Sequence, residues 1–542
     1  MKTLLSHRLS TSLLPPPIID TKIESSTKPL NDESCYRALA AKDSRFDGVF
    51  FVGVSTTGIY CRPICTAKTP RPSSCTFYTG AAAAEAAGFR PCLRCRPELA
   101  PYALQQNLAY AVWQRITAGA LNRNSDNRSI TNSTEDKNTE GGRLEQLAAE
   151  VGLSSRQLRR VLLQHFGVSP VELAQTQRLL FAKKLLQETH LSMTELADAA
   201  GFGSIRRFNA LFNARYGMAP TALRRQHKPG TAHSNPMEDV VTVRLAYRPP
   251  LEWISILQYL QPRLIAGVEA VQLAHASPAY IRSIRLDNVS GWLRVTHLAR
   301  QQQLEVQISP TLTPMLMPIL ARLRNLFDLD ANPAVITAHL RLDPALANRI
   351  DGQSVQHRQP WIRVPGTFAP FELAVRAILG QQVSVAGAST LTARLVSRFG
   401  SLCETPFPTI THHFPDAETL TNLPASTLAS IGIPTSRAET IRNMARYATA
   451  HAADGNLPTR PGATLAETIA QLTAIPGIGN WTAHYIALRA LRFPDAFPAG
   501  DLGLQKAMAE AGGRLTEKQL AAIATAWSPW RGYAALLLWQ TL

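Results

Sequence analysis

Nowhere does the 542-residue sequence carry an apolar run approaching the ~20 residues that a membrane-spanning helix requires, so no membrane partner is expected. The opening Met1-Lys2-Thr3-Leu4-Leu5 is broken by His7 and Arg8 before a signal-peptide core can form, and the expected compartment is cytoplasmic. Cysteine is scarce: the seven residues stand at 35, 61, 65, 75, 92, 95 and 403. Four of them fall in two close pairs, which argues for a metal in a reducing compartment and against a disulfide framework. Acidic charge is also short. Asp and Glu total 39 against 56 Lys and Arg, a net charge of +17 that suits a polyanionic partner. The length exceeds the ~250–300 residues at which single cores stop growing, so several domains are expected.

The paired cysteines are Cys61-Arg62-Pro63-Ile64-Cys65 and Cys92-Leu93-Arg94-Cys95, with 26 residues between them. Four thiolates so arranged match one tetrahedral Zn²⁺ held by Cys61, Cys65, Cys92 and Cys95, which would supply much of the folding energy of a small domain. On spacing alone the cluster reads as a plain structural clamp. The surrounding strings Phe50-Phe51-Val52-Gly53-Val54, Thr56-Thr57-Gly58-Ile59-Tyr60-Cys61-Arg62-Pro63 and Ala87-Gly88-Phe89-Arg90-Pro91-Cys92 resemble the N-terminal methylphosphotriester domain of Ada. That resemblance implies that Cys61 accepts a methyl group from a DNA methylphosphotriester, with Cys65, Cys92 and Cys95 as the remaining ligands. The ion would then be both structural and nucleophile-activating, because zinc keeps a thiol deprotonated at neutral pH. Methylation would remove one negative charge from the site and weaken its repulsion of the DNA backbone, an electrostatic switch. Arg62, Arg90 and Arg94 are candidate phosphate contacts, each equally readable as a solvated surface charge. Cys35, Cys75 and Cys403 read as ordinary thiols.

Residues 143–226 hold an internal repeat of about fifty residues. Leu147-Ala148 with Val151-Gly152-Leu153-Ser154 recurs as Leu196-Ala197 with Ala200-Gly201-Phe202-Gly203, and Phe166-Gly167-Val168-Ser169-Pro170 recurs as Tyr216-Gly217-Met218-Ala219-Pro220. Each copy reads helix, glycine turn, helix. The pair, joined through Arg178-Leu179-Leu180-Phe181-Ala182, resembles the AraC-type DNA-binding domain. The second helices would present Arg156, Arg159 and Arg160 in one copy and Arg206 and Arg207 in the other. Leu158, Val161, Leu162, Ile205, Phe208, Leu211 and Phe212 are expected as core. Residues 143–228 contain 13 Lys and Arg against 6 Asp and Glu, a balance suited to phosphate. The alternative is a helical pair that binds protein.

The most informative stretch lies near the C-terminus. Ile475-Pro476-Gly477-Ile478-Gly479-Asn480-Trp481 marks a tight turn between apolar segments of helical spacing, and Asp501 follows Trp481 by twenty residues in a Pro/Gly-rich segment. A helix–hairpin–helix exposes N–H groups that can grip a phosphate, here at Gly477 and Gly479. These residues resemble the helix-hairpin-helix DNA glycosylases, more narrowly the AlkA-type DNA-3-methyladenine glycosylase II. Leu326-Phe327-Asp328-Leu329, Arg376-Ala377-Ile378-Leu379-Gly380-Gln381, Val383-Ser384-Val385-Ala386 and Trp530-Arg531 carry the same likeness. It implies that Asp501 stabilises oxocarbenium character on the sugar or orients water, with Asp495 a loop or cap residue. It also implies a pocket of Tyr259, Trp481, Tyr485 and Trp539 for a flipped, cationic alkylpurine. Trp481 stands where a lyase-type member carries its lysine, so the chain reads as monofunctional. In two places the sequence departs from the family: Gln382 replaces the leucine wedge, and Leu502-Gly503 replace tyrosine and leucine after the aspartate. The Pro-Cys-His-Arg signature of the Ada C-terminal methyltransferase is absent.

The expected fold class is multidomain and mainly α. A disordered lead (1–30) precedes a small zinc-binding α/β domain (31–105), then a helix and polar linker (106–142). An AraC-type double helix-turn-helix (143–226) and a linker (227–239) follow. An α+β domain with an antiparallel sheet (240–327) and an all-α helix-hairpin-helix domain (328–542) complete the chain. The combined resemblance implies an alkylation-repair glycosylase and methyl acceptor coupled to transcriptional regulation. Its partners would be duplex DNA with alkylated bases and methylphosphotriesters, operator DNA and RNA polymerase. The competing readings are a regulator with a vestigial glycosylase module and an enzyme that uses the helix-turn-helix pair only as a DNA anchor.

Overall fold

The computed structural model describes residues 31–100, 108–122, 135–226, 240–352, 361–451, 457, 463–509 and 513–540. The expected lead at 1–30 and the linker at 227–239 lie outside the described residues.

The first module is a four-stranded sheet ordered Cys75–Tyr78, Phe51–Val54, Ile59–Cys61, Arg90–Pro91. Its first three strands run antiparallel, and the last lies parallel to Ile59–Cys61. Aromatic and β-branched residues drive the central strand. Gly53 is required there, because a Cβ would approach the rings of Phe89 and Tyr78 to 2.9 Å. The pairing brings Cys61, at the end of one strand, beside Cys92, just past the other.

Six helices form the second module: Glu135–Glu150, Ser155–Phe166, Pro170–Glu188, Met193–Ala199, Ile205–Tyr216 and Pro220–Gln226. Ser154, Ser169 and Ser192 each close a capping box with Gln157, Glu172 and Glu195. Gly167 and Gly217 stop the two matching helices in the left-handed conformation, at φ 70° and 67°. The sequence repeat is thus a structural repeat, with Pro170–Glu188 as the spine between its copies.

The linker expected up to residue 142 ends sooner. Its last eight residues open the helix Glu135–Glu150. At its start Leu121 is buried, and Asn122 accepts from Arg178 Nε at 2.9 Å. Polar composition misled here because one aliphatic residue suffices to anchor a turn on a neighbouring core.

The third module begins with a five-stranded antiparallel sheet ordered Val241–Ala246, Gln303–Ile308, Val289–Leu298, Ala279–Leu286, Glu269–Gln272. The helix Trp253–Leu260 interrupts the strand series as expected. Helices follow from Leu316 onward and bury two separate cores. One core joins the sheet to Leu316–Leu346 and to the C-terminal helices, and the other gathers Phe371 through Ile486. The helix Asn480–Arg489 is shared: Ala483 and Ile486 belong to one core, Ala487 and Leu488 to the other. Whatever this helix carries therefore sits at the seam between two lobes. Gly400 caps Val385–Phe399 and Gly432 turns at φ 99°, whereas Gly512 is outside the described residues. Among the described residues no helix is long and apolar enough to cross a membrane.

Candidate functional sites

Each cysteine of the quartet is placed by a strand end or a tight turn, and the four sulfurs lie within 4.8 Å of one another. The peptide N–H of Arg62 reaches Cys95 Sγ at 3.4 Å, and that of Cys95 reaches Cys92 Sγ at 3.5 Å. Sulfurs this close compete for protons. Hydrogen bonds from the Cys61 thiol bring Cys65 down to about 7 and push Cys92 lower still, while Cys61 itself is raised by its bond to Cys65. A divalent soft cation resolves that competition by deprotonating all four, and the all-sulfur donor set fits Zn²⁺.

Around this cluster, Arg90 and Arg94 are exposed. Arg62 is a correction to the sequence expectation. Its side chain is buried, donates to Asp47 Oδ1 at 2.8 Å and to the Cys95 carbonyl at 3.1 Å, and forms an ion pair with Asp47. Its guanidinium locks the cysteine loop from behind and is not presented to a phosphate.

On the helix Ser155–Phe166, Arg156, Arg159 and Arg160 are exposed while Leu158 and Leu162 are buried. On Ile205–Tyr216, Arg206 and Arg207 are exposed, and Phe208 and Phe212 are fully buried. Ile205, expected as core, is 39% exposed. As the first residue after the Ser204 cap it lies at the edge of the buried stripe.

The hairpin joins Leu465–Thr473 to Asn480–Arg489. Gly477 adopts φ 91°, and a Cβ there would meet Thr440 Oγ1 at 1.9 Å. Gly479 has nothing within 4 Å of its would-be Cβ, so a backbone can approach it. Gln381 ties the preceding helical turn to this hairpin, donating to the Gly477 carbonyl and to Thr482 Oγ1 at 3.1 Å each. Arg437 donates to the Gln381 carbonyl at 2.7 Å. Held by that clamp, Gln382 is exposed at the apex of its turn with φ 60°, a conformation that non-glycine residues rarely adopt.

Asp501 caps the helix Leu502–Ala507. Its Oδ1 accepts from Leu504 N at 3.0 Å and Trp539 Nε1 at 3.2 Å, and its Oδ2 accepts from Trp481 Nε1 at 3.0 Å. The ring of Trp481 stacks on Tyr485 at 5.3 Å, and Tyr485 meets Trp539 edge-on at 6.3 Å. Arg489 donates to the hydroxyls of Tyr485 at 2.9 Å and Tyr259 at 3.0 Å, and Tyr259 packs edge-on against Trp361 at 5.7 Å. Gln540 bonds both the N–H and the carbonyl of Trp361 and so brings the ring back to the residue beside Trp539. The result is a closed circuit of contacts, an aromatic cage with one carboxylate on its wall. Asp495 is elsewhere engaged, paired with Arg531 at 2.7 Å and bonded to Ser528 at 3.0 Å.

All four aromatic residues named from sequence thus fall in one cage with Asp501. Sequence reasoning missed Arg489, Trp361, Gln540 and the clamp residues Gln381 and Arg437. Arg489 had a signal: it follows Trp481 and Tyr485 at successive four-residue steps along one helical stripe. Trp361 and Gln540 are 179 residues apart and had none.

Comparison with known proteins finds four families matching successive stretches of the chain. The metal binding domain of Ada matches residues 34–98 and a helix-turn-helix domain matches 147–226. The AlkA N-terminal domain matches 242–369, and the HhH-GPD superfamily of base excision DNA repair proteins matches 375–531. A Mycobacterium tuberculosis protein, "Probable bifunctional transcriptional activator/DNA repair enzyme AlkA", is 37% identical over 94% of this chain and 96% of its own length. The DNA-3-methyladenine glycosylase 2 of Escherichia coli is 33% identical over 55% of this chain and 96% of its own. The bifunctional transcriptional activator/DNA repair enzyme Ada of Escherichia coli is 46% identical over 13% of this chain and 20% of its own.

Proposed function

Since the chain belongs to the family of bifunctional transcriptional activator/DNA repair enzymes of the AlkA type, we propose that its cage cuts alkylated bases from DNA while its cysteine cluster takes methyl groups from the DNA backbone. The chain is a zinc-binding, DNA-binding regulator that carries a DNA glycosylase.

For the glycosylase, the reading is monofunctional hydrolysis of the N-glycosidic bond of 3-methyladenine- and 7-methylguanine-type lesions. Gly477 and Gly479 grip the backbone, and Gln382 fills the space left by the extruded nucleotide. The base enters between Trp481, Tyr485, Tyr259 and Trp539. As the C1′–N bond breaks, Asp501 faces the positive charge growing on the sugar and orients the attacking water. The observation that supports this reading best is Asp501 itself, whose two oxygens are fixed by two cage indoles. Such bonds hold the carboxylate in place before the substrate arrives. No residue in the hairpin offers an amine for a Schiff base, in keeping with hydrolysis alone.

For the methyl acceptor, Cys61, Cys65, Cys92 and Cys95 would hold the zinc ion, and the ion would supply thiolate character at neutral pH. The Cys61 sulfur attacks the methyl carbon of a methylphosphotriester; the C–O bond breaks, and its electron pair stays on the phosphate as a diester anion. Arg90 and Arg94 steer that phosphate, and the exposed arginines at 156, 159, 160, 206 and 207 contact operator DNA. RNA polymerase as a partner and a cytoplasmic location complete the proposal.

The test is duplex DNA carrying 3-methyladenine, incubated with purified protein and an Asp501→Asn control. Abasic sites that appear only with the unchanged protein support the glycosylase reading, and equal yields overturn it. Methylphosphotriester DNA with a labelled methyl group tests the second activity. Cys61→Ala should lose the label yet keep base release, and equal labelling of that variant would remove Cys61 as the acceptor.

A further inference from the structure

Two hydroxyls of the cage, those of Tyr259 and Tyr485, find no protein acceptor for their hydrogens among the described residues. We propose that Arg489 is a positioning residue that turns the hydroxyl hydrogens of Tyr259 and Tyr485 toward the extruded base, so that the cage binds the departing base by its acceptor edge. The inference rests on the glycosylase reading above and extends it from the sugar side of the broken bond to the base side.

The hydrogen-bond chemistry dictates the direction. Arg489 is 3% exposed, and a guanidinium can only donate. Its Nη1 reaches Tyr259 Oη at 3.0 Å and Tyr485 Oη at 2.9 Å, so each phenol oxygen is an acceptor there and neither hydroxyl hydrogen points at the arginine. Two of the other three donors are fixed, Nε on the Pro365 carbonyl and Nη2, at 3.2 Å, on the Gly366 carbonyl, which sets the plane of the group. Among the described residues neither hydroxyl donates to a protein acceptor. Two donors without acceptors, in a cage with no other polar work for them, await a ligand. Because both oxygens reach one nitrogen, they are within about 6 Å of each other, a span that two acceptor atoms on one purine edge can match.

The surroundings strengthen the donors. Burial alone would raise the pKa of the Tyr485 phenol, but the guanidiniums of Arg489, Arg263 and Arg376 outweigh it and hold that pKa below its usual value. Arg263 also covers the Tyr259 ring at 4.0 Å. Positive charge on this side of the cage favours a base that gains electron density as it leaves. When the C1′–N bond breaks, its electron pair stays on the base. A cationic alkylpurine departs neutral, whereas a neutral base departs as an anion whose charge spreads over ring nitrogens and any exocyclic oxygen. Hydrogen bonds to that edge tighten as the charge grows, which is the condition for raising a rate. Water adds to C1′ and releases its proton to solvent; the phenols transfer none.

The test compares Tyr259→Phe, Tyr485→Phe and the double variant, all with Arg489 intact. Single-turnover release is measured at saturating protein from duplexes carrying hypoxanthine, a neutral oxopurine, or 7-methylguanine, a cation. Each phenylalanine is expected to slow hypoxanthine release about tenfold and 7-methylguanine release much less, with half-saturating concentrations unchanged. Arg489→Met should reproduce the double variant and cause no further loss in its background; if it does not fold, the phenylalanine series decides alone. Equal losses for the two bases overturn the proposal, as does a loss confined to half-saturation. It is also overturned by an unchanged protein that releases 7-methylguanine but not hypoxanthine. Should the unchanged protein release neither base, and Asp501→Asn make no difference, the glycosylase reading falls and the proposal falls with it.

Discussion

Replacing Asp501 by asparagine separates chemistry from architecture at the point where the two meet. The carboxylate accepts three N–H groups, from Leu504, Trp481 and Trp539. Asparagine caps a helix about as well as aspartate, so the bond from Leu504 N survives. Its carbonyl oxygen can keep the neighbouring Trp539 indole on the same side. The new amide group then faces the Trp481 indole, donor against donor, and one buried N–H loses its acceptor at a cost of about 1–3 kcal/mol. For a lobe of this size that is a fall in Tm of roughly 3–10 °C, which leaves the protein folded at 25 °C. The catalytic loss is of a different order. Removing a fixed negative charge that faces a developing cation is expected to slow the bond-breaking step about 10²–10³-fold. Single-turnover release of 3-methyladenine at saturating protein reads that step, and a thermal melt run beside it reads the structural cost. Asp495→Asn is the matched control. It breaks the partly exposed pair with Arg531, should cost no more than about 1 kcal/mol, and should leave the rate within about twofold. A folded Asp501→Asn protein whose rate stays within threefold of the original would refute the assignment. So would an Asp495→Asn rate that falls as far as the Asp501→Asn rate.

Three further outcomes follow from the geometry. Gly477→Ala should lower stability by about 2–4 kcal/mol, because it strains a left-handed residue and drives a methyl group into Thr440, whereas Gly479→Ala should leave the melt unchanged and weaken duplex binding. Equal melting losses in the two variants would sink the division of labour between these glycines. Arg62→Gln should destabilise the zinc-binding module by about 3–5 kcal/mol without altering the salt dependence of DNA binding, while exposed Arg94→Gln should reduce the salt slope by about one. A changed salt slope for Arg62→Gln would return that residue to the DNA surface. Burial, with the nearby cations Arg285, Arg282 and His412, lowers His413 to about 4. The unfolded chain therefore binds the extra proton between about pH 6.5 and 4, and stability falls as pH drops through that window. His413→Gln should flatten the decline in Tm between pH 7 and 5, and an unchanged decline would show that other groups carry it.

Much of this molecule can be read from local sequence because its chemistry is local. Two cysteine pairs at close spacing sit at strand ends and turns, and Gly477 of the hairpin marks a left-handed turn where a Cβ would strike Thr440. The helix-turn-helix repeat is legible for the same reason: Ser caps, glycine stops and a 3.6-residue stripe all lie within one copy. The failures have physical causes too. Arg62 looked like a surface cation because its neighbours in sequence are polar or turn-forming, yet its partner Asp47 is brought back by the sheet from 15 residues away. Ile205 is apolar but occupies the first position of its helix, where the buried stripe has not begun. Residues up to 142 read as linker from their polar composition, yet Leu121 is buried and residues 135–142 already belong to the helix Glu135–Glu150. At the cage, the rings carried by the hairpin helix were legible, while Trp361 needed a loop that no periodicity announces.

The least legible feature is what joins the modules, and Glu188 shows why. This residue ends the spine helix, and its carboxylate accepts from Arg96 of the zinc-binding module at 2.7 Å, from the Arg244 peptide N–H of the sheet module at 3.0 Å and pairs with Lys184 at 3.3 Å. Its neighbour Lys183, with no exposed surface, donates to Glu98 at 2.8 Å and to the carbonyl of the metal-site residue Cys92 at 3.3 Å. On the far side, Arg248 of the sheet module donates to the Asp47 carbonyl, and Asp47 holds Arg62 beside Cys61. Buried charges of this kind contribute little net stability, because desolvation offsets most of their attraction. What they supply is intolerance of misalignment: a shift that breaks one pair strands the others in a medium of low dielectric. Apolar contacts run across the same junctions, where Leu180 packs with Phe51 and Tyr60 and the second helix-turn-helix copy shares one core with the sheet, so the charged network adds register to an adhesion that is hydrophobic. Cys61 is linked through Arg62 and Asp47 to the sheet module, while Cys92 is linked through Lys183 to the spine of the helix-turn-helix repeat.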